Sequence, residues 1–315
     1  MKKISLFEKR QKFKFLQKKL SEESISIDEI MDFLRGERGV APTNLTMIGL
    51  FNESIYRART HTDENGFSKS LFTKVNDLKY PKESSYVTRK GRCNDVGEII
   101  LYGSTSEYGA ITELVSYGMK LNSLFTVASI RRKDIQKNKV IFKPLGTDKF
   151  DETQEMNSYD KKFHGFCNSQ FNQKISMSEQ EKYNFTIAVS RYFLETQPKE
   201  TMSGQKISSN FRFGIVYPSV HLGTISNKTT YNITMLPQVF DDNCTINEAS
   251  VYVILHDKID NELVLFELNK GIVSGDEIKW QFTFEEMKSR ALNGKIVYND
   301  NYIKALHEAS REIFF

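Results

Sequence analysis

Between Glu98 and Gly118 the sequence EIILYGSTSEYGAITELVSYG changes its hydrophobic period from two to nearly four, which constrains the fold more than any other feature. In EIILYG (98–103), Ile100 and Tyr102 share one face and Ile99 and Leu101 the other, so a strand is predicted. Ser104 and Glu107 then stand at capping-box spacing, and Ala110, Ile111, Leu114, Val115 and Gly118 form the inward stripe of a helix. Glu113 lies beside that stripe with Tyr117 one turn on. A strand feeding a helix within a few residues calls for a mixed architecture.

The rest of the chain agrees. The first forty or so residues read as helical, with Ser26 and Glu29 as a capping box before IDEIMDFLR and with Gly36 and Gly39 as its stop. After Pro42 short apolar runs and turns take over. LFTVASI (124–130), KVIFKPL (139–145), FRFGIVYPSV, YNITM, ASVYVILH and ELVLFEL read as strands, and DKIDN as the turn between the last two. The strand before Ser219 should end near Pro218, which has no N–H for a ladder. SEQEKYNFTIAVSRYFLETQ reads as a helix capped by Ser178 and Glu181, burying Phe185, Ala188, Val189, Tyr192 and Phe193. TFEEMKSRALNG and NDNYIKALHEASREIF read as further helices. The expectation is an α+β protein with a mostly antiparallel β core and flanking helices. Its organisation is a basic helical extension (1–48), a central domain (49–240) with a polar insertion near 146–180, and a C-terminal β-hairpin and helical extension (241–315) packed on the same core.

Composition excludes several classes. The formal charge is +4, from 44 basic and 40 acidic residues, so no global field calls for nucleic acid. The basic excess is concentrated in MKKISLFEKRQKFKFLQKKL, read as a solvated terminal helix with one apolar stripe rather than a nucleic-acid or membrane helix. Glu8, Lys9 and Arg10 interrupt any secretory apolar region, and no run approaches the roughly 20 apolar residues of a membrane span, so a cytoplasmic protein is expected. Cys93, Cys167 and Cys244 are too far apart for a zinc knuckle, and the histidines lack metal-ligand spacing, so no metal is expected. Without a strand-to-helix GxGxxG, a dehydrogenase-type dinucleotide site is not expected either. Ser219 and His221 have no third partner for a hydrolytic triad.

The polar residues that remain fall in an ordered series. Arg57 lies in SIYRART, Arg92, Asn94 and Gly97 in GRCNDVG, and Tyr102, Ala110 and Glu113 in LYGSTSEYGAITE. Ser219 lies in GIVYPS and Asn232 in YNITMLP. Over roughly residues 50–240 this series resembles the RES-domain family, named for an arginine, a glutamate and a serine. The sequence departs from the family pattern at Cys93, where a bulky aromatic often follows GR, and in its long polar segment between the glutamate and serine blocks.

The resemblance implies a fold similar to ADP-ribosyltransferase toxins and a toxin that consumes NAD by hydrolysis or phosphorolysis. NAD would be a substrate, with no cofactor, and the partner a separate helix-turn-helix antitoxin of the Xre type. Cleaving the nicotinamide–ribose bond builds positive charge on the ribose, which a carboxylate offsets; Glu113 is the candidate. Arg57 and Arg92 suit the diphosphate, since guanidinium groups bind phosphate oxygens in pairs. Tyr102, and secondarily Tyr56, would lie against the nicotinamide ring. Ser219 would bond a phosphate or ribose oxygen or steady Glu113, and Asn232 would support the site. Two alternatives are an ADP-ribosyltransferase modifying a protein or nucleic acid, and a non-catalytic protein binding nucleic acid through its basic first helix.

Overall fold

Helix starts in this chain are set by side-chain capping. Ser26 and Glu29 close the expected box, the Ser26 hydroxyl accepting from the Glu29 N–H and the Glu29 carboxylate accepting from the Ser26 N–H. Ser5 with Glu8, and Thr283 with Glu286, do the same. The computed structural model describes residues 5–35, 54–61, 70–116, 119, 124–133, 140–147, 157–176, 178–195, 212–220, 230–256 and 263–292. These form α1 (Leu6–Ser21), α2 (Ile27–Arg35), β1 (Ile55–Thr60), β2 (Leu101–Ser104), α3 (Glu107–Ser116), β3 (Leu124–Arg132), β4 (Val140–Pro144) and α4 (Ser158–Phe171). There follow α5 (Asn184–Glu195), β5 (Arg212–Pro218), β6 (Tyr231–Met235), α6 (Pro237–Asn243), β7 (Cys244–His256), β8 (Leu263–Ser274), β9 (Glu277–Trp280) and α7 (Phe284–Leu292). The protein is α+β with mostly antiparallel strand pairing.

The chain divides into two units: Met1–Asn52, Pro81–Tyr102 and Lys133–Asn243 in the first, and Glu53–Tyr80, Gly103–Arg132 and Cys244–Phe315 in the second. The division falls inside β2. In the first unit the strand order is β4–β5–β6–β2; β4 and β5 are parallel, and β5 and β6 antiparallel with Tyr217 opposite Asn232. A parallel pair needs a crossover, and the chain between Pro144 and Arg212 supplies one that carries α4 and α5. These helices, with α1 and α2, build an aromatic core of Phe13, Tyr159, Phe163, Phe171 and Phe185. Phe13 meets Phe163 at 5.4 Å and Phe166 at 5.5 Å between ring centroids.

The stretch 146–180, expected as an irregular insertion, therefore contains a core helix. Asn157 caps α4 through the Tyr159 and Asp160 N–H groups. Tyr159, Asp160, Phe163, His164, Cys167 and Phe171 are its buried face. Asp160 and His164 within that face make the stretch read as polar. Gly146, just before it, has φ +76°, and a Cβ there would lie 2.7 Å from Phe171 Cβ and 3.2 Å from Pro218.

In the second unit every pairing is antiparallel, in the order β2–β1–β3–β7–β8–β9, with β2 represented by Gly103 and Ser104. Helix α3 packs on one face, where Ile111, Phe125 and Val127 form a cluster with Tyr56, Ala58, Leu114, Val115 and Tyr252. Strands β7 and β8 contain the expected runs but extend beyond them, β7 starting at Cys244 and β8 ending at Ser274, and β9 was not foreseen.

Other boundaries differ from expectation for local reasons. β2 begins at Leu101 because Asp95–Glu98 is a turn, closed by Glu98 N–H to the Asp95 carbonyl (3.1 Å) and Asp95 N–H to the Glu98 carboxylate (2.6 Å). The cap of α3 is Ser106, whose hydroxyl accepts from Gly109 N–H (3.0 Å); Ser104 is fully buried at the end of its strand. A 3₁₀ turn (Gln180–Tyr183) replaces the expected cap of α5 by Ser178 and Glu181. β5 ends at Pro218 as expected, and α7 occupies the expected helix at TFEEMKSRALNG. Gly36, Gly39, Tyr117, Gly118, DKIDN and NDNYIKALHEASREIF lie outside the described residues.

Gly146→Ala places a side chain at a left-handed backbone position and against Phe171. It is expected to cost about 1–3 kcal/mol of stability, read as a lowered urea midpoint at unchanged slope.

Candidate functional site

Paired residues of an antiparallel ladder share a face, as do residues two apart on one strand. In the first unit Tyr217 and Asn232 are partners on β5 and β6, and Ser219 follows Tyr217 by two, its N–H bonded to the Thr230 carbonyl at 3.0 Å. Ser219 and Asn232 are buried and thus share a face with the Tyr217 ring. Arg92 comes to the same ring: its guanidinium carbon lies 6.0 Å from the Tyr217 centroid and 5.5 Å from that of Tyr183. It donates to the carbonyls of Gln170 (3.3 Å) and Gln173 (2.9 Å) at the C-terminal end of α4. The arginine thus closes a helix end, where carbonyls lack intrahelical donors.

Tyr102 completes the group. Its hydroxyl accepts from the Cys93 N–H (2.9 Å) and donates to Asn94 Oδ1 (2.7 Å). The Gly91 N–H bonds the Asn94 carbonyl at 2.9 Å, so GRCN is a closed turn. A Cβ on Gly91 would collide with Asn94 Oδ1 and stand 2.9 Å from the Tyr102 hydroxyl, which explains glycine there. Cys93 is fully buried, and burial pushes its thiol up to about 12 against the opposing effects of Ser190, Arg92, Tyr102 and Tyr217 around it. It is a neutral wall residue at neutral pH, not a nucleophile. Four expected site residues, Arg92, Tyr102, Ser219 and Asn232, thus collect on one side of the first unit's sheet. Tyr183, Tyr217 and Cys93 belong with them; of these, only Tyr217 and Cys93 lay inside the motifs GIVYPS and GRCNDVG.

The other three lie in the second unit, where β1 sorts them. Tyr56 and Ala58 face α3. By alternation Arg57, Arg59 and His61 face the other way, so Arg57 and Glu113 are on opposite faces of this sheet. Glu113 is half-buried on α3, and Tyr56 is on its side of the sheet. Arg57 is half-buried with its Nε out of solvent reach, and burial, reinforced by Arg59, pushes its pKa down to about 9. Arg59 donates to the Asp77 carbonyl and lies over the Phe72 ring at 5.9 Å. His61 stacks on Phe72 at 4.2 Å and bonds the Ser70 carbonyl (3.1 Å) and Thr126 Oγ1 (2.5 Å). A carbonyl only accepts, so Nδ1 carries the proton and Nε2 accepts from Thr126. Burial holds the ring's pKa down at about 4.

Among the described residues no group of three or more His, Cys, Asp or Glu side chains is arranged to hold a metal ion, and no helix is long and apolar enough to cross a membrane. No family model, curated protein or solved structure matches the chain.

Arg92→Ala removes the donor for two carbonyls and opens space between two rings, which should cost about 2–4 kcal/mol. Arg92→Lys recovers only part, because one ammonium does not reproduce the planar fork. Urea denaturation of both variants checks this; unchanged stability would show that the carbonyl bonds and ring contacts of Arg92 do not hold the fold. His61 has the opposite sign from a histidine with an anionic partner. Its folded pKa, about 4, is below the unfolded 6.5, so the unfolded state binds more protons between these values. Stability from His61 is complete above pH 6.5, falls by up to about 3 kcal/mol as pH drops to about 4, and then levels. The difference between wild type and His61→Gln across that window isolates the effect.

Proposed function

We propose that the chain cleaves the nicotinamide–ribose bond of NAD, with a fold of the ADP-ribosyltransferase kind, as its likeness to RES-domain proteins implies. The observation that carries the proposal is the gathering of Arg92, Tyr102, Ser219 and Asn232 on one side of the first unit's sheet, around the Tyr217 ring. These residues come from four blocks up to 140 positions apart in the sequence (232 − 92), and only folding unites them. Tyrosine rings, one guanidinium and two polar side chains, all buried except Tyr102, are the kinds of group that a ligand with flat rings, ribose hydroxyls and a diphosphate calls for.

In this reading Glu113 is the catalytic carboxylate. As the bond to nicotinamide lengthens, the ribose becomes oxocarbenium-like, and the Glu113 carboxylate offsets that charge and holds a ribose hydroxyl. Nicotinamide leaves with the bonding electron pair as a neutral base, and water or phosphate completes the ribosyl carbon. The role of Arg92 at the diphosphate, like that of Glu113 at the ribose, rests on the RES-domain resemblance. Arg57 is left out of the catalytic group, because its face of the second unit's sheet is not that of α3. NAD is consumed as substrate, and the biological role is that of a toxin whose partner is a separate helix-turn-helix antitoxin. Transfer of ADP-ribose to a macromolecule is the same chemistry with another acceptor.

Purified protein incubated with NAD is expected to release nicotinamide, and Glu113→Gln to lower the rate at least a hundredfold, in the range of lost transition-state charge stabilisation of about 3 kcal/mol. A folded Glu113→Gln protein with undiminished release, or wild type with none, defeats the proposal. Label from ADP-ribose-labelled NAD remaining on protein or nucleic acid identifies the transferase variant.

A further inference from the structure

Helix α1 presents an unusual combination of exposed groups. Its inward stripe is Phe13 and Leu16, both buried in the first unit's core. A helix that has spent its apolar residues this way should show solvent a polar face. Here Leu6 is 49%, Phe7 68% and Phe15 51% exposed. Residues 7, 11, 14 and 18 form one outward stripe at spacings of four, three and four, so Phe7 is aligned with the exposed Gln11, Lys14 and Lys18. Over Leu6–Ser21 there are six basic residues, Lys9, Arg10, Lys12, Lys14, Lys18 and Lys19, against the single acid Glu8. Glu8 is turned to the cap of Ser5, and Glu22 beyond the helix stands 3.8 Å from Lys18.

We infer that the outward face of α1 docks on an anionic phospholipid surface, with Phe7 and Leu6 entering the interface and Lys14, Lys18 and their neighbours meeting the headgroups. This is independent of NAD cleavage and departs from the sequence expectation of a purely solvated helix. Charge complementarity selects an anionic partner, since six cations stand against Glu8 within the helix and Glu22 beside Lys18 just after it. The apolar residues select lipid over nucleic acid. Leu6 offers a base nothing to stack on but adds buried area among acyl chains. The Phe15 ring is already engaged, with the Lys19 ammonium 5.9 Å above it and Phe33 at 6.0 Å, which leaves Phe7 as a single stacking platform where a single-stranded nucleic acid needs several. The helix does not span; it lies along the surface with its inner face still in the protein core.

Sedimentation of the full chain with large vesicles tests this. Vesicles of phosphatidylcholine with about one-third phosphatidylserine are expected to retain the protein, and pure phosphatidylcholine vesicles not; retention should fall several-fold between low and high salt. Lys14→Glu with Lys18→Glu should lower retention at least tenfold, and Phe7→Ala about tenfold. These side chains are exposed, so thermal unfolding should be unchanged in the variants. Equal binding to both vesicle types, no binding to either, or salt-dependent binding of single-stranded RNA with none of vesicles each overturns the inference.

Discussion

An interior β-strand cannot choose what to hide; it can only choose a face. β1 has β3 on one side and the end of β2 on the other, so every side chain from Ile55 to Thr60 must project above or below the sheet. Tyr56 and Ala58 take the face that α3 covers. That obliges Arg57 and Arg59 to take the other, with His61 continuing the row. The positive groups are tolerated there by different means. Arg59 reaches a backbone carbonyl and an aromatic face, while His61 gives up its charge and bonds as a neutral ring. A single period-two pattern thus fixes where α3 docks and keeps Glu113 and Arg57 apart.

What the sequence disclosed follows the range of the interactions involved. Capping at Ser26 and the stop at Pro218 depend on neighbours within a few residues, and both were legible. Strands β3, β4, β7 and β8 were legible because their apolar runs are nearly uninterrupted. Helix α4 was not, since its buried stripe includes Asp160 and His164, and periodicity counts polar residues as outward. At the α3 start two serines had almost equal claims; burial of Ser104 in its strand decided for Ser106. Tyr102, Ser219 and Asn232 were singled out by motif, but what Arg92 touches was invisible. Its partners Gln170, Gln173, Tyr183 and Tyr217 are 78 to 125 residues downstream (170 − 92 and 217 − 92), and nothing local announces them.

Cys93 shows why a small side chain stands beside Arg92. A large ring beside the arginine would have to share space with Tyr102 and Tyr217, both of which reach the thiol. In this chain those tyrosines supply the aromatic surface, and the small sulfur closes the gap between them without a charge. The raised thiol pKa is the consequence of that packing, and it removes the residue from any covalent chemistry.

The carbonyl bonds of Arg92 fix its plane. The Gln170 and Gln173 carbonyls are neutral acceptors; they orient the guanidinium and lower the cost of burying it. Between the Tyr183 and Tyr217 rings the surroundings are poorly polarisable, so the charge is screened less than at a water-facing position. Lysine at the same place would lose the fork that spans both carbonyls and would be free to swing. A guanidinium held by two carbonyls and two rings is therefore fixed in place by its surroundings.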